Sequence, residues 1–194
     1  HRVDRRQRQM CIRDRTRRAS QPAFKTDALK TYVDMLNPIQ SRRIDELKPD
    51  EEFIFYDNIQ QTLMDVAAKV FIGLDETSAE AKMLHKIFEN INKGLITPVP
   101  YDLPFTTFRK ALKSRESLRN FLVTKIPERR GTELEDMFSR YCNAKDEDEN
   151  YLEDVDIDGH IAFLLFAAFD TTTSALTNIL YYFCLLYTSD ASDD

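Results

Sequence analysis

Apolar residues recur every three or four positions along most of the chain, the period of α-helices with one buried face. Leu29, Tyr32, Val33 and Leu36 form a first stripe, which Pro38 is expected to end or kink because it lacks an amide hydrogen. Ile59, Leu63, Val66, Ala67 and Val70 form a second, closed by Gly73 as a left-handed C-cap. Met83, Leu84, Ile87, Phe88 and Ile91 make a third, again followed by a glycine, Gly94. Phe108, Ala111, Leu112, Leu118 and Leu122 mark a long charged helix ending near Pro127, and Leu134, Met137, Phe138 and Tyr141 a short one.

The stretch "NAKDEDENYLEDVDID" is an acidic, solvated linker. The helix after it is expected to start near Asp156 or Asp158, either of which could cap it, and to run to about Phe183. It is apolar nearly all round, which predicts burial on every side. Its length would also cross a membrane. Asp170, four threonines, Ser174 and Asn178 in its centre and second half weigh against lipid. The segment "KGLITPVPYDLPF" is apolar yet broken by Pro98, Pro100 and Pro104, so it is either a lid or binding wall, or a core-packed connection.

Composition agrees with a mainly α fold, because only four glycines stand among 194 residues and tight hairpins need more. A net charge of −6 argues against a nucleic-acid binder. Cys11, Cys142 and Cys184 have neither metal nor disulfide spacing, and His85 and His160 have no ligand-type partners in sequence, which suits ordinary packing or surface roles.

Both ends read as translated sequencing-library adapter. The strand TGT CTC TTA TAC ACA TCT GAC GC encodes Cys184 to Ala191, and its longer reverse complement encodes Arg5 to Asp14. Residues 1–14 and 184–194 are therefore expected to be artefact, leaving 15–183 as a segment of a longer protein.

The most informative stretch is "FAAFDTTTSAL". An ionised carboxylate inside an apolar helix is costly unless paired or wetted, and threonine is a mediocre helix former. Taken alone, Asp170 either caps a second helix or takes part in proton transfer. The string "LLFAAFDTTTSAL" resembles the central helix of a cytochrome P-450: a small pair, any residue, an acid, then two hydroxyls, filled by Ala167, Ala168, Phe169, Asp170, Thr171 and Thr172. "RTRRASQPAF" is similar to the helix whose arginine binds a heme propionate, which puts that role on Arg17, with Pro22 and Phe24 in register. "LPFTTFRKALKSRESL" resembles the helix after the lid in relatives acting on sterols, retinoids and other terpenoid-like lipids.

The resemblance implies a heme-dependent monooxygenase inserting one atom of O2 into an apolar substrate, served by a ferredoxin or flavoprotein reductase. Asp170 and Thr171 would relay protons, and hydroxyls bonding into the helix could open it locally. Ala167 and Ala168 would let the heme approach. Phe163 and Phe166 share the face of Ala167 and Thr171, and either shape the substrate site or pack in the core. The family's iron-ligating cysteine lies in a glycine-rich loop near its C-terminus; no such loop is expected here, Cys142 is not assigned as ligand, and no metal ligand is assigned. The chain alone is expected to be inactive, and a bacterial parent would be cytoplasmic. The alternative is a helical ligand-binding domain of a transcriptional regulator.

Overall fold

The computed structural model describes residues 17–18, 20–48, 51–146 and 148–190. The N-terminal adapter-like string, with Cys11 and Arg13, lies outside them, as do residues 191–194. Among the described residues six α-helices follow a 3-10 turn at Gln21–Phe24: α1 Thr26–Asp45, α2 Phe55–Ile72, α3 Ala79–Leu95, α4 Thr107–Arg129, α5 Met137–Cys142 and α6 Asp154–Asp190. Among the described residues there is no strand, only an isolated antiparallel bridge between Lys145 and Tyr151 that closes the acidic linker.

Helix α2 is the hub, packed against α1, α3, α5 and α6. It buries Met64, Ala67, Ala68, Val70 and Ile72, a wider face than the predicted stripe. It ends as expected: Gly73 takes φ +70°, and the Leu74 N–H reaches back to the Ala68 carbonyl at 2.9 Å.

Helix α1 departs from expectation twice. It runs through Pro38 rather than stopping there. Pro38 and Asp34, whose carbonyl loses its partner, both face solvent, where water satisfies that carbonyl. Leu29 and Val33 are also exposed, since α1 packs mainly on the 3-10 turn and α2, with Arg140 of α5 over its Tyr32 ring, and buries the narrower set Ala28, Tyr32 and Ile39. The Tyr32 hydroxyl donates to the Ala23 carbonyl at 3.0 Å and fixes the turn to the helix.

Helices α3 and α4 form the closest pair. Ser78 caps α3 by accepting from the Ala81 N–H at 3.1 Å, and Thr106 caps α4 by accepting from the Arg109 N–H at 3.2 Å. Gly94 does not end α3; it lies inside the helix, where an added Cβ would fall 2.1 Å from the Ala111 Cβ. The missing side chain lets the two helices touch. Met83, by contrast, faces solvent at the edge of its stripe.

The connection between α3 and α4 is not core-packed: Ile96, Tyr101, Leu103 and Phe105 all point outward. At its far end α4 is tied down by Arg129. That side chain donates to the Asp136 carboxylate at 2.8 Å, the Ser139 hydroxyl at 3.0 Å and the Ile72 carbonyl at 2.9 Å, joining α4, α5 and the end of α2.

Helix α6 begins at Asp154, two residues before the nearer expected start. Ile157, Ile161, Leu165, Phe169 and Thr173 form one i, i+4 row that is buried against α2, α4 and α5. Burial on every side does not hold. Phe163 and Phe166 are exposed, and so is the apolar run Ile179–Tyr187. The helix also runs past Phe183 to Asp190, Leu185, Leu186 and Tyr187 carrying no helix breaker. By length and composition it could cross a membrane, yet its N-terminal half is built into the helical core.

Candidate functional site

Helix α6 is uninterrupted at Asp170, so this residue does not cap a second helix. Nor does the helix open locally. The Thr171 hydroxyl donates to the Ala167 carbonyl at 2.7 Å, and Thr173 and Thr177 donate to the carbonyls of Phe169 and Thr173 at 2.9 and 2.8 Å. A carbonyl oxygen has two lone pairs, so each hydroxyl adds to the ladder without displacing a main-chain bond.

Consecutive helix positions point about 100° apart, so Asp170 and Thr171 address different surroundings. Asp170 is half-buried and turned toward α3, where the Asn92 side-chain N–H donates to its Oδ1 at 3.2 Å. Burial lifts its carboxyl above the ordinary aspartate range. Thr171 lies on the open face with Phe163, Phe166 and Ala167, all four exposed, and Ala168 is half-buried beside them. The two phenylalanines are therefore not core residues of this chain.

Asn92 also lines a cavity of about 450 Å³ between α2, α3 and α6, whose walls include Gln60, His85, Glu89, Lys93 and Phe169. The carboxylate thus has a neighbour in a cleft with ionisable walls on one side and a hydroxyl on an apolar face on the other. That arrangement can hold and pass a proton. His85 sits with Nε2 3.5 Å from the Asp65 carboxylate, and Asp65 in turn accepts from Arg43. Burial lowers the imidazole's pKa despite this neighbour. The His160 ring rests on Tyr141, 5.7 Å between centroids. Neither histidine meets Asp170 in these contacts.

A second cavity, about 680 Å³, lies between α3, α4 and α6. Phe163 and Phe166 form part of its wall, together with Phe88, Ile91, Leu112 and Ala162. Its rim carries Arg115, Arg119 and Asp158. Arg17 is exposed and borders neither cavity; the Ser20 hydroxyl donates to its carbonyl at 3.0 Å and fixes its backbone rather than its guanidinium. Cys142 is fully buried and its thiol is pushed up to about 12 by that burial, which keeps it protonated and chemically quiet.

Sequence reading missed Asn92 and the Asp158–Arg119 rim. Asn92 continues the i, i+4 row Leu84–Phe88 of α3, and a carboxamide in place of the next apolar residue was the available signal.

The family pattern described as Cytochrome P450 matches residues 13–188. A protein of Mycobacterium tuberculosis named as cytochrome P450 136 is 32% identical over 174 residues, covering 85% of this chain and 34% of that protein. Beta-amyrin 6-beta-monooxygenase of Solanum lycopersicum is 28% identical over 164 residues, 82% of this chain and 34% of its own. Among solved structures, the retinoic acid bound cyanobacterial CYP120A1 superposes with a TM-score of 0.75 at 29% identity, over 92% of this chain and 40% of that one. The chain spans about a third of the length of the curated relatives it matches.

Proposed function

The chain belongs to the cytochrome P450 family, and on that footing we propose that it is the central part of a heme monooxygenase that inserts one oxygen atom of O2 into an apolar substrate. Two electrons would come from a redox partner, a ferredoxin or a flavoprotein reductase. The observation that carries the reading is an acid and a hydroxyl at adjoining positions of one unbroken helix. The acid is half-buried against Asn92, and the hydroxyl faces an open apolar surface. The family match over residues 13–188 leaves the transcriptional-regulator alternative without support.

The residues present suit one side of a heme. A flat apolar macrocycle needs a surface of small and apolar side chains, and exposed Ala167 beside half-buried Ala168 offers one, flanked by Phe163 and Phe166. Arg17, an exposed guanidinium, would pair with a propionate. When bound, the heme supplies the iron at which O2 is reduced and split. Cys142 is sealed in the core with its thiol held protonated, which makes it unfit to be the thiolate ligand.

The work of this chain is then binding and proton handling. Phe163 and Phe166 exclude water and hold an apolar substrate against the Ala167 face. Asp170 takes a proton from the cleft lined by Asn92 and hands it on toward the Thr171 side, its raised pKa favouring the protonated form needed to donate. Thr171 Oγ1, which already donates to the Ala167 carbonyl, keeps lone pairs to accept a hydrogen bond from a water that carries the proton onward.

Residues 15–183 are read as the family-derived segment and the two end strings as adapter. Sequencing the gene through both junctions tests this: a Glu-x-x-Arg helix and then a Phe-x-x-Gly…Cys-x-Gly loop should follow downstream. The completed protein, reduced under carbon monoxide, should show the thiolate-heme band. Its absence would overturn the enzyme reading.

A further inference from the structure

The cavity of about 680 Å³ between α3, α4 and α6 has four charged residues in its lining, Arg115, Glu116, Arg119 and Asp158, and apolar walls beyond them. Asp158, Ala162 and Phe166 of α6 line it, with Gly159 and Phe163 beside them, and the next positions of these two i, i+4 rows, Asp170, Ala167 and Thr171, lie beyond its lined end. Both rows lead from the charged rim toward the acid–threonine pair. Asp158 and Ala167 are nine positions apart, about 14 Å along the axis, and Thr171 is about 20 Å away. A Cβ added at Gly159 would meet nothing within 4 Å, so the helix is thinned at the polar end.

The rim carries Arg115, Glu116 and Arg119 on α4 and Asp158 across from them on α6. The Asp158 side chain is only 14% exposed, and its Oδ2 lies 3.7 Å from the Arg119 Nε. That is an ion pair too long to be a hydrogen bond, so the carboxylate keeps capacity to accept one. Burial also raises the Asp158 pKa, against the pull of Arg119 and Arg115. A carboxylate ligand placed here would face Asp158 and be repelled. A hydroxyl can donate to Asp158 and accept from Arg119 at once.

We propose that this cavity takes an elongated apolar alcohol, its hydroxyl between Asp158 and Arg119 and its far end lying toward Ala167 and Thr171. The inference deepens the monooxygenase reading and rests on it for the fate of that far end. The oxidised carbon then lies about 14–20 Å from the hydroxyl, at the opposite end of the molecule.

The test is equilibrium binding to the complete enzyme that contains this chain, with two matched pairs of probes. Retinol is compared with retinoic acid, by retinol fluorescence and competition, and hexadecan-1-ol with hexadecanoic acid. Each alcohol should bind roughly ten- to a hundredfold more tightly than its acid, the range expected for one hydrogen bond to a charged group against a like-charge contact. Asp158→Ala should abolish or reverse that preference, since Arg119 then loses its acidic partner across the cavity. Gly159→Leu should weaken both alcohols at least tenfold by filling the polar end.

Tighter binding of the acids, no binding of either alcohol, or a preference unchanged in Asp158→Ala would overturn the proposal. The alcohol preference with no thiolate-heme band under carbon monoxide would uphold the binding site and overturn the monooxygenase reading instead.

Discussion

Replacing Gly94 by alanine adds one methyl group where α3 meets α4, the pair that roofs the larger cavity. The new Cβ would fall 2.1 Å from the Ala111 Cβ, whereas apolar carbons sit about 3.5–4.0 Å apart. The helices must part by about 1.5 Å at that point. Overpacking of this kind costs about 1–3 kcal/mol. The gain in helix propensity is below about 1 kcal/mol, because Gly94 is the penultimate residue of α3. Gly94→Ala should therefore destabilise by about 1–2 kcal/mol in urea unfolding of the 194-residue chain followed by far-ultraviolet circular dichroism. The discriminating variant is Gly94→Ala with Ala111→Gly, which moves the methyl from one helix to the other. The double variant should be more stable than the sum of the single changes predicts, by about 1–2 kcal/mol. An unaffected Gly94→Ala chain, or strict additivity, would refute the close-approach argument.

Asp136, only 3% exposed, accepts from Arg129 and from the Ser139 amide and hydroxyl. Asp136→Ala removes the only carboxylate paired with the Arg129 guanidinium in this cluster and should cost about 3 kcal/mol in the same unfolding assay, with Asp136→Asn costing less. Cys142, its thiol at about 12, should resist iodoacetamide at pH 8 while exposed Cys184 is labelled, as read by peptide mass mapping; equal labelling would contradict its burial. The raised pKa of Asp170 sets a sign as well. Its contribution to stability is fully present below about pH 4 and is lost as pH rises through the folded-state value. The urea midpoint of the wild-type chain should fall over that window relative to Asp170→Asn, and parallel profiles would contradict the desolvation.

Most of the helices were legible because their apolar faces are local and periodic. The Gly73 cap was legible because one residue type meets that backbone need. What misled were features decided by neighbours. Pro38 survives inside α1 because the carbonyl it orphans faces water. Gly94 reads as a stop signal yet serves close packing, a role that depends on Ala111, seventeen positions later. The all-round apolar character of α6 implied full burial, but Phe163, Phe166 and Ile179–Tyr187 stand exposed among the described residues. At the site, the acid–threonine pair stood out for its cost in an apolar helix. Asn92 and the Asp158–Arg119 rim owe their meaning to α3 and α4 crossing α6, which no local pattern announces.

The central claim is that Asp170 and Thr171 manage protons beside bound oxygen, and the partition of consumed O2 in the complete enzyme tests it most directly. Asp170→Asn should slow turnover roughly a hundredfold and raise the solvent deuterium isotope effect, with substrate binding intact. Thr171→Ala should divert consumed O2 from hydroxylated product to hydrogen peroxide. Wild-type turnover, isotope effect and product yield in both variants would contradict the account.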